Sequence, residues 1–184
     1  MDSLSKRPAR GVPLPGESLA SLLRRTSEAM GYQDVTYITN LLPNKRLVFW
    51  NANRLGDELM LHQVAGLLGC SPEEILTVHR YASRFVLTSH HEPQGQLCDT
   101  KTSLRYFATS APVCSSCFRN DSVPYERLAW TLRPMPVCLD HRCLLLDRCP
   151  TCQRPLRLNR RLLLCCQCGS DIRDWQANRL SSEA

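Results

Sequence analysis

Apolar positions recur at three- and four-residue spacing through Leu19, Leu22, Leu23, Thr26 and Met30, while Arg24, Arg25 and Glu28 fall outside that stripe. This period predicts an amphipathic helix, with Ser18 as its N-cap and Gly31 as its stop. Upstream, Pro8, Pro13 and Pro15 with Gly11 and Gly16 exclude a helix and predict an extended arm over residues 1–17. A shorter apolar run, Val35, Tyr37, Ile38, Leu41 and Leu42, ends at Pro43. The stretch Leu47-Val48-Phe49-Trp50 is too short to type and is read as an insertion that packs on the core.

Farther along, Leu61, Val64, Ala65 and Leu68 form a second helical stripe, followed by Gly69-Cys70-Ser71-Pro72-Glu73-Glu74. Ser71 as N-cap, Pro72 at the first helical position and Glu74 three residues after the cap predict a new helix continuing through Ile75, Leu76 and His79. A small residue, a turn glycine and a capped helix in that order resemble a helix-turn-helix; an ordinary helical hairpin is the alternative. Glu73 and Glu74 lie in the first turn of the would-be recognition helix, where phosphates and base edges are usually met, and they argue against major-groove reading. The helical unit is placed at residues 18–87. Residues 88–113 are polar, rich in breakers, and read as a connection in which His90 and His91 are solvated.

Composition sharpens this division. Of eleven cysteines in 184 residues, nine follow residue 113, all but Cys70 and Cys98. The N-terminus has no apolar signal-peptide core, and no apolar run approaches the roughly 18 residues a membrane span needs, which predicts a cytoplasmic protein with no membrane partner. In a reducing compartment a disulfide framework is disfavoured, and an odd count cannot pair fully within one chain. Metal binding is the better explanation. A formal net charge of +6 is compatible with a nucleic-acid or acidic partner without requiring either.

Four two-ligand turns follow one another: Cys114-Ser115-Ser116-Cys117, Cys138-Leu139-Asp140-His141, Cys149-Pro150-Thr151-Cys152 and Cys165-Cys166-Gln167-Cys168. Pairing consecutive turns predicts two Zn2+ ions, one on Cys114, Cys117, Cys138 and His141 and one on Cys149, Cys152, Cys165 and Cys168. Cys143 in place of His141, and Cys166 in place of Cys165, are the alternatives. Four protein ligands leave no position for an activated water, which favours structural over catalytic metal. No Ser/His/Asp arrangement, phosphate-cradling glycine loop or carboxylate pair stands out, so neither an enzyme nor a small-molecule substrate is expected.

The expected fold is mostly α with small zinc-stabilised modules. A helix-turn-helix-like domain is followed by zinc-finger or zinc-ribbon motifs at 114–148 and 149–175, with a tail at 176–184. From Cys114 onward eleven Arg stand against seven Asp and Glu. Arg154, Arg157, Arg160 and Arg161 cluster between the last two turns, either as a phosphate-contacting arm or as a solvated face. Trp130 and Tyr125, beside a knuckle, are read as filling its small core.

Three stretches carry a family resemblance: Pro13-Leu14-Pro15-Gly16-Glu17-Ser18-Leu19, the Cys114-x-x-Cys117 turn leading to Tyr125-Glu126-Arg127-Leu128-Ala129-Trp130, and Val137-Cys138-Leu139-Asp140-His141 continuing through Leu144-Leu145-Leu146-Asp147-Arg148-Cys149-Pro150-Thr151-Cys152-Gln153-Arg154-Pro155-Leu156. Together they resemble the TniQ family of transposition proteins. The resemblance implies a non-enzymatic target-selection adaptor in a bacterial cytoplasm, linking a target-recognition device to a TnsC-like AAA+ ATPase. With sixteen residues after Cys168, the chain is similar to the short form found in type V-K CRISPR-associated transposons. That form implies an RNA-guided CRISPR effector and its guide RNA as partners, with DNA backbone met through the complex and no independent reading of a specific site. The alternative function is a zinc-containing helix-turn-helix protein that binds a DNA site directly.

Overall fold

The computed structural model describes residues 11–41, 58–75, 110–133, 135–158 and 160–178. Leu42, Pro43, Leu47 to Trp50, Leu76, His79, His90, His91 and Cys98 lie outside the described residues, as does most of the 88–113 connection. Among the described residues no helix is long and apolar enough to cross a membrane.

Helix α1, Leu19–Ala29, begins where Ser18 leaves the extended region and its Oγ accepts from the Ser21 N–H at 3.1 Å. It ends at Gly31, whose φ of +80° suits a residue without Cβ, and the Tyr32 N–H closes back to the Ser27 carbonyl at 3.0 Å. A short helix α2, Thr36–Thr39, follows. Val35 and Ile38 turn inward there, while Tyr37 and Leu41 stay exposed. Helix α3, Glu58–Leu68, is stopped by Gly69 at a φ of +67°. A new helical turn at 72–75 then starts with a reciprocal capping box. The Ser71 N–H donates to Glu74 at 2.8 Å, and the Glu74 N–H to Ser71 Oγ at 3.2 Å. The course beyond Ile75 is outside the described residues, so the helix-turn-helix expectation extends only to this turn.

Leu19, Leu22 and Leu23 of α1, Val35 and Ile38, Val64, Ala65 and Leu68 of α3, and Ile75 form one buried cluster. The arm lies across it: the Gly11 N–H donates to the Leu68 carbonyl at 3.1 Å, and a Cβ on Gly11 would meet Thr26 Oγ1 at 2.3 Å. Glycine is required there by space, not by dihedral angle.

Helical dominance ends with this first cluster. Residues 110–178 contain helix α4, Ser115–Asn120, two short 3-10 turns, and a hairpin of β1, Val137–Cys138, and β2, Cys143–Leu144, in antiparallel register. The rest is irregular chain held by isolated bridges, Val113 to Leu146, Ser110 to Arg157 and Arg148 to Pro155 among them. The buried cluster here is half cysteine: Cys114, Cys117, Cys138, Cys143, Cys149 and Cys166 lie among Val113, Phe118, Trp130, Leu156, Leu163, Ile172 and Trp175. Both expected finger segments contribute to this one core. Few helices and a cysteine-rich core are consistent with the metal-stabilised modules expected for this half, where ligand spacing replaces periodicity as the organising pattern.

The two clusters are joined through α1. Glu17 bridges Arg127, with the Ser18 N–H donating to the Glu126 carbonyl and the Leu128 N–H to the Gly16 carbonyl, both at 2.8 Å. Arg24, which the periodicity puts outside the apolar stripe, is fully buried. It pairs with Glu126, which also receives Arg160, and both partners are buried. Ser21 Oγ accepts from the Glu126 N–H at 2.9 Å, and Glu28 accepts from the Leu163 N–H. Burial raises the pKa of Glu28, opposed by the Leu163 N–H and by the charges of Arg24 and Arg160. Burial likewise pulls Arg160 down to about 10, with Glu126 opposing, so the guanidinium stays cationic at neutral pH.

Removing the shared anion with Glu126→Ala should strand two buried guanidinium groups and destabilise the fold by about 3–5 kcal/mol. A chemical-denaturation midpoint within error of the parent would contradict the shared-anion role. Gly11→Ala should cost about 1–3 kcal/mol through overpacking against Thr26, and an unshifted thermal midpoint would show that the arm is not seated as described.

Candidate metal centres

The first cluster is built from a helix start and a hairpin turn. Cys114 is the extended N-cap residue of α4 and Cys117 lies in its first turn, with the Phe118 N–H donating to the Cys114 carbonyl at 3.2 Å. Cys138 ends β1, and Arg142, at a φ of 47°, turns the chain so that His141 folds back beside it. Cys117 Sγ is 3.5 Å from Cys138 Sγ. His141 Nδ1 lies 3.2 Å from Cys117 Sγ and 3.7 Å from each of Cys114 and Cys138 Sγ. A tetrahedron with metal–sulfur bonds of about 2.3 Å has edges of about 3.8 Å, so these separations suit four donors around one ion. Donor atoms of Cys114, Cys117, Cys138 and His141 all fall within 4.8 Å of one another and could hold a metal ion.

The surroundings favour that use. His141 Nε2 is 3.1 Å from the side-chain amide of Asn120, the last residue of α4. The atom facing it is Asn120 Nδ2, and the contact holds the ring with Nδ1 turned toward the sulfurs. Arg127 contacts both Asp121 oxygens at 3.1 Å and Asp140 at 3.2 Å, spanning the flanks of both ligand turns. Its guanidinium sits 4.7 Å from the Tyr125 ring centroid and 5.1 Å from that of Trp130. Trp130 is buried edge-to-face against Phe118 at 5.8 Å, a core position. Tyr125 is half-buried on the rim. Cys143, the open alternative, is buried with its Sγ 3.6 Å from Cys114 Sγ, beside the four-donor group and not part of it.

The second cluster comprises Cys149, Cys152, Cys166 and Cys168. Sulfur pairs Cys149 with Cys168 and Cys152 with Cys166 are each 3.7 Å apart. In the first turn, Gln153 at a φ of 59° sends its N–H to the Cys149 carbonyl at 2.8 Å. Burial opposes ionisation of Cys149, but the Cys152 and Thr151 N–H groups aimed at its sulfur prevail and bring the thiol to about 7.

The structure groups Cys166, the stated alternative, with the other three sulfurs, and not the expected Cys165. Cys165 bridges Asp171, and in extended chain consecutive side chains face opposite ways, so only one of the doublet faces the other sulfurs. The turn that presents Cys166 is one residue tighter than a two-residue spacing assumes. The Cys166 N–H donates to the Ser170 carbonyl and the Gly169 N–H to the Cys166 carbonyl, both at 2.9 Å, with Gly169 at a φ of +87°. Burial pushes the Cys165 thiol up, which disfavours its thiolate.

The arginines separate. Arg154, Arg157 and Arg161 are exposed, Arg161 pairing with Asp34 at 3.1 Å. Arg160 is corrected from the exposed arm to the interior, where its charge meets Glu126. Sequence reasoning missed Arg24, Glu126 and Glu28 as well, since charge at those positions reads as surface until a second buried charge is found opposite.

Fold and clusters together define a small protein with two candidate closed metal centres sharing one core. The family model for TniQ matches residues 8–145, more than half of the chain and inclusive of the first centre. The protein belongs to the TniQ family and is transposition-associated. A search of the curated proteins finds no match.

Chelation should unfold residues 110–178, seen as loss of amide-exchange protection in that half. Protection unchanged after verified metal removal would refute the centres. Cys166→Ser should lower bound metal from about two equivalents to one, while Cys165→Ser should keep both; the reverse outcome would restore Cys165 as the ligand.

Proposed function

We propose that this protein is a non-enzymatic adaptor in DNA-transposition target selection, joining a TnsC-like AAA+ ATPase to an RNA-guided CRISPR effector with its guide RNA. The observation that carries the reading is the TniQ match across residues 8–145, which spans α1, α3 and the first candidate metal centre. Two Zn2+ ions are the metals this reading assigns, because borderline-soft Zn2+ takes sets of three thiolates with one imidazole, or of four thiolates, in closed tetrahedra. Closed sites bind no substrate and activate no water, so their contribution is to hold a docking surface rigid.

Direct reading of a DNA site is less well supported. Glu73 is exposed, and its own backbone N–H and the Ser71 hydroxyl lower its pKa, so it stays anionic where a recognition helix would meet phosphate. Glu74 is engaged in the capping box.

The test is co-purification of the tagged chain with the AAA+ ATPase and with the effector loaded with guide RNA, alongside elemental analysis. The adaptor reading expects both partners to be retained and about two equivalents of zinc. Retention of neither partner, with tight binding to one DNA duplex alone, would replace it with the regulator reading; iron in place of zinc would overturn the metal assignment.

A further inference from the structure

The two candidate centres differ in how far solvent reaches them. Cys114, Cys117 and Cys138 of the first are buried, and only His141 is partly open. In the second, Cys149 and Cys166 are buried, Cys152 is half-buried and Cys168 is exposed. The exposed residue also has a second sulfur within reach, since Cys149 Sγ lies 3.7 Å from Cys168 Sγ. Metal ligation requires cysteine sulfurs in the thiolate form, and a thiolate open to solvent is the species that two-electron oxidants attack. The four ligands of this centre lie beyond residues 8–145, outside the family match.

We propose that the second centre is a reversible thiol-oxidation site, at which hydrogen peroxide links Cys149 to Cys168 and releases the metal. The Cys168 thiolate attacks one peroxide oxygen; the S–O bond forms, the O–O bond breaks, and hydroxide leaves with the electron pair. The Cys149 thiolate then attacks the resulting sulfenic acid at sulfur, forming the S–S bond and expelling a second hydroxide. Two thiolates have together lost two electrons and the peroxide has become two hydroxides, so atoms and charge balance. The sulfurs close from 3.7 Å to a bond of about 2.05 Å, which they reach once no ion is held between them. Cys152 and Cys166 alone do not complete a tetrahedron, whereas the first centre, with its three sulfurs buried, keeps its ion. A dithiol reductant restores the ligands. The inference rests on metal at this centre and not on the adaptor role.

The test uses the full chain, purified reduced and loaded with zinc, and treated with hydrogen peroxide while released zinc is followed with a chromogenic chelator. Bound zinc is expected to fall from about two equivalents to about one, with a Cys149–Cys168 disulfide in the peptide map and recovery of the second equivalent after dithiothreitol and fresh zinc. Cys165→Ser leaves the four donors in place and should release zinc at the parent's rate. Cys168→His keeps a fourth ligand but removes the exposed sulfur, and should release about tenfold more slowly. If that variant does not hold two equivalents, the peptide map of the parent chain decides. Release of neither ion, release of both, a disulfide through any other pair, a rate that depends on Cys165, or an undiminished rate in metal-loaded Cys168→His overturns the proposal. A reduced chain that carries fewer than two equivalents before peroxide is added overturns the metal assignment as well, so the two failures are told apart.

Discussion

Four sulfur or nitrogen donors crowded to within 4.8 Å are a poor solution for packing alone, since ionised thiolates repel one another and neutral ones contribute little more than a small apolar side chain. A metal reverses the sign of that crowding. An ion held by either cluster would turn that crowding into a local restraint on the order of 10 kcal/mol or more. Local geometry in residues 110–178 presents these donors in pairs: a helix start, a hairpin turn, a turn with a left-handed glutamine and a turn with a left-handed glycine each place two. Regular secondary structure is sparse there because it is not what closes the core.

The second constraint is ionic. A carboxylate buried between two buried guanidinium groups is expensive to form and still more expensive to break, so it specifies one docking geometry and penalises near misses. Glu126 is reached from α1 by Arg24 and from the arm between the last two ligand turns by Arg160. The helical cluster and the cysteine-rich cluster therefore meet through charge, with Glu28 and the Leu163 N–H closing the contact. Helix α1 is contacted from the cysteine-rich half by Glu126, Leu158 and Leu163.

That joint also decides which basic residues remain available to a partner. The four arginines of the arm look equivalent along the chain, yet one is interior, one is tied to Asp34, and two stand at the rim of a cleft. Exposure and the bonds already made, not formal charge, sort them.

Much of this was legible in residue order. Helix starts at Ser18 and Ser71, the stops at Gly31 and Gly69, and the grouping of Cys114, Cys117, Cys138 and His141 depend on interactions spanning a few residues or on a ligand spacing that repeats, and local chemistry carries both. Three outcomes belong to tertiary structure alone. Cys166 faces the metal position in place of Cys165 because strand-like alternation and a turn tightened by Gly169 set the direction of the doublet. Arg24 and Arg160 are buried because Glu126, distant in sequence from both, arrives between them; a charged residue reads as solvated until its counter-charge is located. The two expected fingers share a single core because Val113 bridges Leu146 and Ala111 donates to Leu156, pairings that no periodicity announces. Spacing determines which side chains are able to meet at short range, whereas the direction each one faces, and which charges lose their water, is decided only when distant segments pack.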